Sequence, residues 1–280
     1  MEKGREHSLY CLSVEDTIIA TFGWLDDRIK ALSAQGLRLP RQKGQKASYS
    51  KLLTIAVTIT LLGMDAYRGY LILTQSYRHL FPRTPHFSRF TRIVRNAQAL
   101  AAKLATDLAD AHDRCFVIDL KAVPVAQGQR IHSQAMSEAQ VGKGPLGGFA
   151  GFKLAAVIDS RGLFVRWTLL PGNGPENDAE ELVAGLQGCL GDKGFRWLEG
   201  VLTPSYRLRG GKRVETGWQP WMYRVRNWIE TRFSVMVRSF GLHRLETKRY
   251  WSLVSCVNLM ILSSNLVHSH LLLKLAGLEG

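Results

Sequence analysis

The stretch CFVID at residues 115–119 is an apolar run closed by an acid, and it reads as a buried strand. The same pattern recurs downstream. Residues 152–159 (FKLAAVID) and 163–170 (LFVRWTLL) are two further strands, joined by a tight turn at Ser160, Arg161 and Gly162. Asn177 and Asp178 then open a helical stretch at 179–186. Residues 189–192 (CLGD) form a fourth strand, again closed by an acid, and 200–203 a short fifth. After Pro220 the pattern is helical to the end. The order of strand, hairpin, helix, strand, short strand and helices predicts an α/β fold built on one mixed sheet flanked by helices.

Upstream of residue 115 the texture is different. Residues 51–110 lack strand alternation and show helical patterns broken near Gly63, Gly69 and the FPRTP turn at 81–85. Thr84 before Pro85 fits an N-cap followed by proline, which predicts a helix over 86–110 carrying Arg89, Arg92, Arg95 and Lys103. This helical region at 1–110 admits two readings: a DNA-binding region of helix-turn-helix type, or a helical bundle with solvated arginines. Residues 111–280 form the second predicted domain.

The chain has 280 residues and a formal net charge of +14, with 46% hydrophobic content. That length and composition exclude a mainly disordered chain, a collagen-like fibre and a disulfide-stapled mini-protein. The 4 cysteines lie far apart with no CxxC pair, which argues against a structural zinc site or a disulfide framework and fits a reducing cytoplasm. The excess of positive charge calls for a polyanion. Residues 200–250 alone carry 11 basic and 3 acidic residues, as expected of a DNA channel. The N-terminus has no apolar h-region, and the apolar stretch at 251–273 is interrupted by Asn258, Asn265, His268 and His270, so it reads as a buried helix rather than a membrane span.

Three acids stand out. Asp119 and Asp192 close the first and fourth predicted strands, and would emerge side by side if those strands are neighbours. Glu230 lies on a helix predicted over 221–238, where Tyr223, Arg226 and Glu230 share one face and Val225, Ile229, Phe233 and Met236 form an apolar stripe. Clustered carboxylates repel one another unless cations sit between them, and their hard oxygens suit Mg²⁺ or Mn²⁺. Two such ions can drive phosphodiester chemistry, with Arg226 holding a phosphate. Taken singly, each acid is equally well a turn residue, and Arg226 with Glu230 a surface ion pair.

Taken together, these residues carry a resemblance. IDLKAVPV at 118–125, GFKLAAVID at 151–159, LLPGN at 169–173, LGDKGF at 190–195 and the Y-x2-R-x3-E spacing of Tyr223, Arg226 and Glu230 resemble insertion-sequence transposases of the DDE class. The resemblance spans roughly residues 75–265 and includes LFPRTPHFSRFTR at 80–92. It implies a ribonuclease-H-like catalytic core in which Asp119, Asp192 and Glu230 bind two Mg²⁺ (or Mn²⁺) ions. It further implies hydrolysis of the phosphodiester at the ends of an insertion sequence and transfer of the 3′-hydroxyl into target DNA. The partners implied are double-stranded DNA (terminal inverted repeats and target) and a second copy in the DNA complex, with a cytoplasmic, nucleoid-associated location. Two departures stand beside it. Leu120 follows the first Asp where the family has Ser or Thr. Val237 stands where a basic residue is usual, with Arg238 next to it. Leu120 leaves a catalytically inactive DNA-binding descendant as an alternative, and a structure-specific nuclease of the same fold is another.

Further candidates follow from charge and aromaticity. Lys193, Arg207, Arg209, Lys212, Arg213 and Arg238, with Arg89 and Arg92 upstream, are candidate phosphate contacts. Trp218 and Trp221 are candidates for stacking on bases that have left the duplex. The literal G-x-G-x-x-G at 142–147 precedes a strand rather than opening a helix, so a dinucleotide site is excluded and a flexible loop near DNA is expected.

Overall fold

A computed structural model describes residues 12–39, 44–132, 136–144, 147–208, 210–245 and 247–277. The chain divides into two compact units: residues 1–108 with 254–280, and residues 109–253.

The first unit is helical. It contains α1 (Val14–Ala34), α2 (Tyr49–Leu61), α3 (Ala66–Ser76), α4 (Phe87–Asn96) and α5 (Gln98–Thr106), and the last part of the chain. Ser13, Ser48 and Asp65 cap the first three helices by accepting backbone N–H bonds in the first turn. α2 is buried nearly all round, as its unbroken apolar sequence demands. The helix predicted over 86–110 is two helices, broken at Ala97. Its cap is His86, whose imidazole accepts from the Ser88 N–H, rather than Thr84. The carbonyl of Pro85 is instead taken by the Tyr70 hydroxyl.

The second unit is built on a six-stranded sheet: β1 (Phe116–Gln127), β2 (Gln140–Gly144), β3 (Gly147–Ile158), β4 (Phe164–Pro171), β5 (Cys189–Leu190) and β6 (Val201–Leu202). Its strand order is β2-β3-β1-β5-β6, with β4 also paired to β3. β3 is antiparallel to its neighbours β1, β2 and β4, whereas β5 runs parallel to both β1 and β6. This is the mixed sheet expected from the order of elements. One face packs Phe116, Ile118, Ala155 and Val157 against the segment around α6 (Glu180–Val183), with Phe195 and Leu198. On the other side α7 (Met222–Arg238) buries Val225, Ile229, Phe233 and Met236, and Phe233 meets Phe164 at 6.2 Å between ring centroids.

Three readings need correction. Asp119 does not end its strand. β1 runs eight residues further, because the polar residues Asp119 and Lys121 share one face while Ile118 and Leu120 serve the core on the other. Pro124 is accommodated by a register shift between Pro124 and Ala126. The glycines of the 142–147 motif are not a flexible loop. Gly142 to Gly144 pair with β3, and a side chain at Gly142 would strike the Gly172 carbonyl at 2.1 Å. The basic loop after 203 contains a small hairpin, β7 (Tyr206–Arg207) with β8 (Arg213–Val214).

The C-terminal helices α8 (Tyr250–His268) and α9 (Leu271–Leu275) differ from the expected boundary as well, because residues from Val254 onward belong to the helical unit. There Asn258 donates to the Gln98 carbonyl and Asn265 to the Ala105 carbonyl, so the polar residues that interrupt the apolar run tie α8 to α5. α8 is long and apolar enough to cross a membrane, but 67% of its apolar window is buried within the protein, as an interior helix requires.

Candidate active site

Asp119 and Asp192 are brought level by strand register. Val117 pairs with Leu190 in the parallel β1–β5 ladder, and each acid lies two residues beyond its paired residue. Gly191 holds this approach. A Cβ there would stand 2.8 Å from Val201 Cγ1 and 3.2 Å from Ile118 Cγ2, so a larger residue would displace the backbone that carries Asp192. Asp192 then caps the following turn, its Oδ1 accepting from Gly194 N–H at 2.7 Å.

α7 supplies the third acid and a cation. Arg226 Nη1 pairs with Glu230 Oε1 at 3.0 Å, and Arg226 Nη2 lies 3.9 Å from Asp119 Oδ2. Arg226 thus stands between two members of the predicted trio. Its Nε is buried without a hydrogen-bond partner. Asp119 Oδ1 accepts from the Leu120 N–H at 2.8 Å. Burial pushes the Asp119 carboxyl up to about 6; the Leu120 N–H and Arg226 oppose the shift, while the negative charges of Asp192 and Glu230 add to it.

Among the described residues, no three His, Cys, Asp or Glu side chains already stand close enough to hold a single ion. The Glu230 carboxylate, half exposed, is engaged by Arg226. The donor set nonetheless fits a hard divalent cation. It consists of carboxylate oxygens, and the Asp119 carboxylate is only loosely paired, with Arg226 Nη2 3.9 Å away.

The other predicted residues spread over the surface of this unit. Tyr223, 50% exposed, meets Trp218 edge-on at 5.3 Å, and Trp221 is exposed at the start of α7. Trp218 is half-buried, with its Nε1 unpartnered. Lys193 is exposed on the turn that Asp192 caps, and its carbonyl accepts from Arg196. Arg207, Lys212 and Arg213 lie on the β7–β8 hairpin, where Arg213 pairs with Glu215. Arg238 is exposed at the end of α7. Arg209 lies outside the described residues. In the helical unit Arg92 is exposed and Arg89 half-buried, both on α4.

Sequence reasoning missed two neighbours of the site. A Cβ at Gly194 would meet Asp192 Oδ1 and Glu176 Cγ, both at 3.0 Å, so Glu176 packs at the same turn as Asp192. His243 sits near Lys121 and the Ala122 backbone, with its Nε2 buried and unpartnered. Burial, then the Lys121 charge, holds its pKa below the ordinary histidine value. Neither residue falls in a spacing pattern that a linear reading could single out.

Residues 110–238 match the model of the transposase DDE domain. The match takes in Asp119, Asp192 and Glu230 and lies within the α/β unit at 109–253. By that match the α/β unit is similar to the DDE domain of transposases. No curated protein matches the chain. Among solved structures it is similar to a piggyBac transposase synaptic complex with hairpin DNA, at 11% identity and a TM-score of 0.43, over 92% of this chain and 76% of that one.

Proposed function

We propose that this protein is a DDE transposase that cuts the phosphodiester at the ends of an insertion sequence and joins the exposed 3′-hydroxyl to target DNA, on a ribonuclease-H-like core. The observation that supports the reading is Arg226 standing between Asp119 and Glu230, beside the strand register that levels Asp119 with Asp192. In the first step a water oxygen bonds to the phosphorus and the 3′-oxygen leaves, taking a proton to become the hydroxyl. In the second, that hydroxyl attacks a target phosphodiester and displaces the target's own 3′-oxygen, so no net P–O bond is lost.

Asp119, Asp192 and Glu230 would hold two Mg²⁺ or Mn²⁺ ions, Glu230 exchanging its Arg226 partner to do so. The ions, when bound, supply activation of the attacking oxygen and stabilisation of the leaving one. Arg226 then has a free guanidinium for the adjacent phosphate, which it can grip with two parallel bonds, and Tyr223 offers a hydroxyl on the same helix face. Lys193, Arg207, Arg209, Lys212, Arg213 and Arg238 follow the DNA backbone, while the helical unit with Arg89 and Arg92 binds the terminal inverted repeats. Trp218 and Trp221 are proposed to stack on unpaired bases. Joining two ends calls for a dimer on the DNA, acting in the cytoplasm at the nucleoid.

The test is strand cleavage of labelled DNA carrying the repeats that flank the open reading frame, in Mg²⁺ or Mn²⁺, with wild type and Glu230→Gln. Nicking at repeat ends by wild type, lost in the variant while binding persists, supports the reading. Equal binding by both with no nicking in either metal replaces it with a DNA-binding protein, and cleavage indifferent to the repeats replaces it with a nuclease.

A further inference from the structure

Beyond the acids, the turn that Asp192 caps carries a feature that phosphodiester chemistry does not use. Phe195 and Leu198 are buried in the core and fix the turn, with the Leu198 N–H bonded to the Phe195 carbonyl at 2.9 Å. Between them Arg196 and Trp197 point outward, and Trp197 is 61% exposed. The Arg196 guanidinium lies over the Trp197 ring at 5.0 Å and over the Tyr206 ring of the β7–β8 hairpin at 5.6 Å. Its Nη1 also donates to the Lys193 carbonyl at 3.1 Å. Two separate segments therefore converge on one guanidinium and hold an indole in place while most of that indole faces water.

Leaving so large an apolar ring exposed forgoes its burial, and ordering an arginine against it costs side-chain entropy. A ligand that covers the ring recovers both. The surroundings specify its charge: residues 193–213 carry 6 basic residues against the single acid Glu199. A flat apolar ring next to fixed cations is a stacking platform for a base whose phosphates are neutralised alongside. Duplex DNA presents no free base face, whereas an unpaired strand does.

We infer that Arg196, Trp197 and Tyr206 form a stacking site for an unpaired DNA base, with Arg196 and Trp197 four and five residues after the proposed metal-binding acid Asp192. The site rests on the reading of the chain as a DNA-processing enzyme, and it differs from the Trp218–Trp221 pair at the start of α7. Its position on the Asp192 turn makes it suited to hold a nucleotide displaced from the duplex at the cleaved end.

The experiment uses the full chain in chelator, where cleavage plays no part. Affinity is measured for a fluorescently labelled duplex with blunt ends and for the same duplex with a frayed, unpaired end carrying 2-aminopurine, with wild type, Trp197→Phe and Trp197→Ala. Trp197→Ala is expected to weaken binding to the unpaired end about tenfold and to release 2-aminopurine quenching, while leaving the blunt duplex unchanged. Trp197→Phe is expected to keep most of both signals. Equal loss on both DNAs, or no loss on either, overturns the site. The exposed position of Trp197 makes an unchanged melting temperature the expected control. Because no nicking is read, failure here is separate from failure of the cleavage assay.

Discussion

Arg226 pairs with Glu230 at 3.0 Å and stands 3.9 Å from Asp119, so one guanidinium stabilises two carboxylates that come from a helix and from a strand. Both its position and its burial matter, for its side chain is only 20% exposed. Replacing it by Met removes the cation and leaves the carboxylates facing one another. The metal-free protein is expected to lose about 1–3 kcal/mol at pH 8 and less at pH 5, where Asp119 is largely protonated. Denaturant unfolding at the two pH values checks this; equal losses at both would show that Arg226 acts by packing alone.

Asp119 sets the pH dependence. Its folded-state carboxyl is raised to about 6 from an unfolded value of 3.8. The folded state therefore binds the proton more tightly, and the metal-free protein loses stability as pH rises between those values. That difference corresponds to at most about 3 kcal/mol. Asp119→Asn is expected to be more stable than wild type at pH 7.5 by about 1–3 kcal/mol and equal to it near pH 3.5, while losing strand cleavage. A variant that is less stable at pH 7.5 would place the carboxylate's value in packing rather than chemistry.

Metal binding at the proposed acids would offset that loss. Mn²⁺ at about 100 times its dissociation constant is expected to stabilise wild type by about 2.7 kcal/mol. Chelation should return it to the metal-free value. Asp119→Asn and Asp192→Asn should respond weakly, and the readout is the melting temperature with no DNA present. An undiminished shift in both variants would move the ions elsewhere.

Asp159 is an acid of a different kind. It is fully buried after β3, where Oδ1 accepts from the Arg161 and Leu163 N–H groups, and Oδ2 accepts from the Asp110 N–H and pairs with Arg161 at 3.0 Å. Asp159→Ala leaves three backbone donors unsatisfied and is expected to cost about 3–5 kcal/mol. Equilibrium unfolding measures it. A loss under 1 kcal/mol would mean that water replaces the carboxylate without penalty.

Asp159 also illustrates how far a linear reading reaches. It closes a strand just as Asp192 does, and no pattern in the sequence separates the two. The local rules worked where short-range physics governs: α7 begins at Met222, one residue from its predicted start, because its apolar stripe and its polar face repeat at helical spacing. They fall short at β1, where the acid at 119 suggests a terminus although Leu120 and Lys121 continue the alternation. The β2 strand escaped notice because its glycines pair by backbone alone, with β3 as the partner.

What the sequence by itself determined is the inventory: the elements of a mixed α/β unit, the basic charge, and the spacing of Asp119, Asp192, Arg226 and Glu230. Each depends on interactions between near neighbours or on composition. Tertiary structure alone decided that β1 and β5 run parallel, with Val117 opposite Leu190, which levels two acids separated by more than seventy residues. It likewise set Arg226 between Asp119 and Glu230, joined Arg196 to Tyr206, and returned residues from Val254 onward to the helical unit. Contacts of that kind follow from strand register and from which faces bury together, and these are fixed only when distant segments close on a common core.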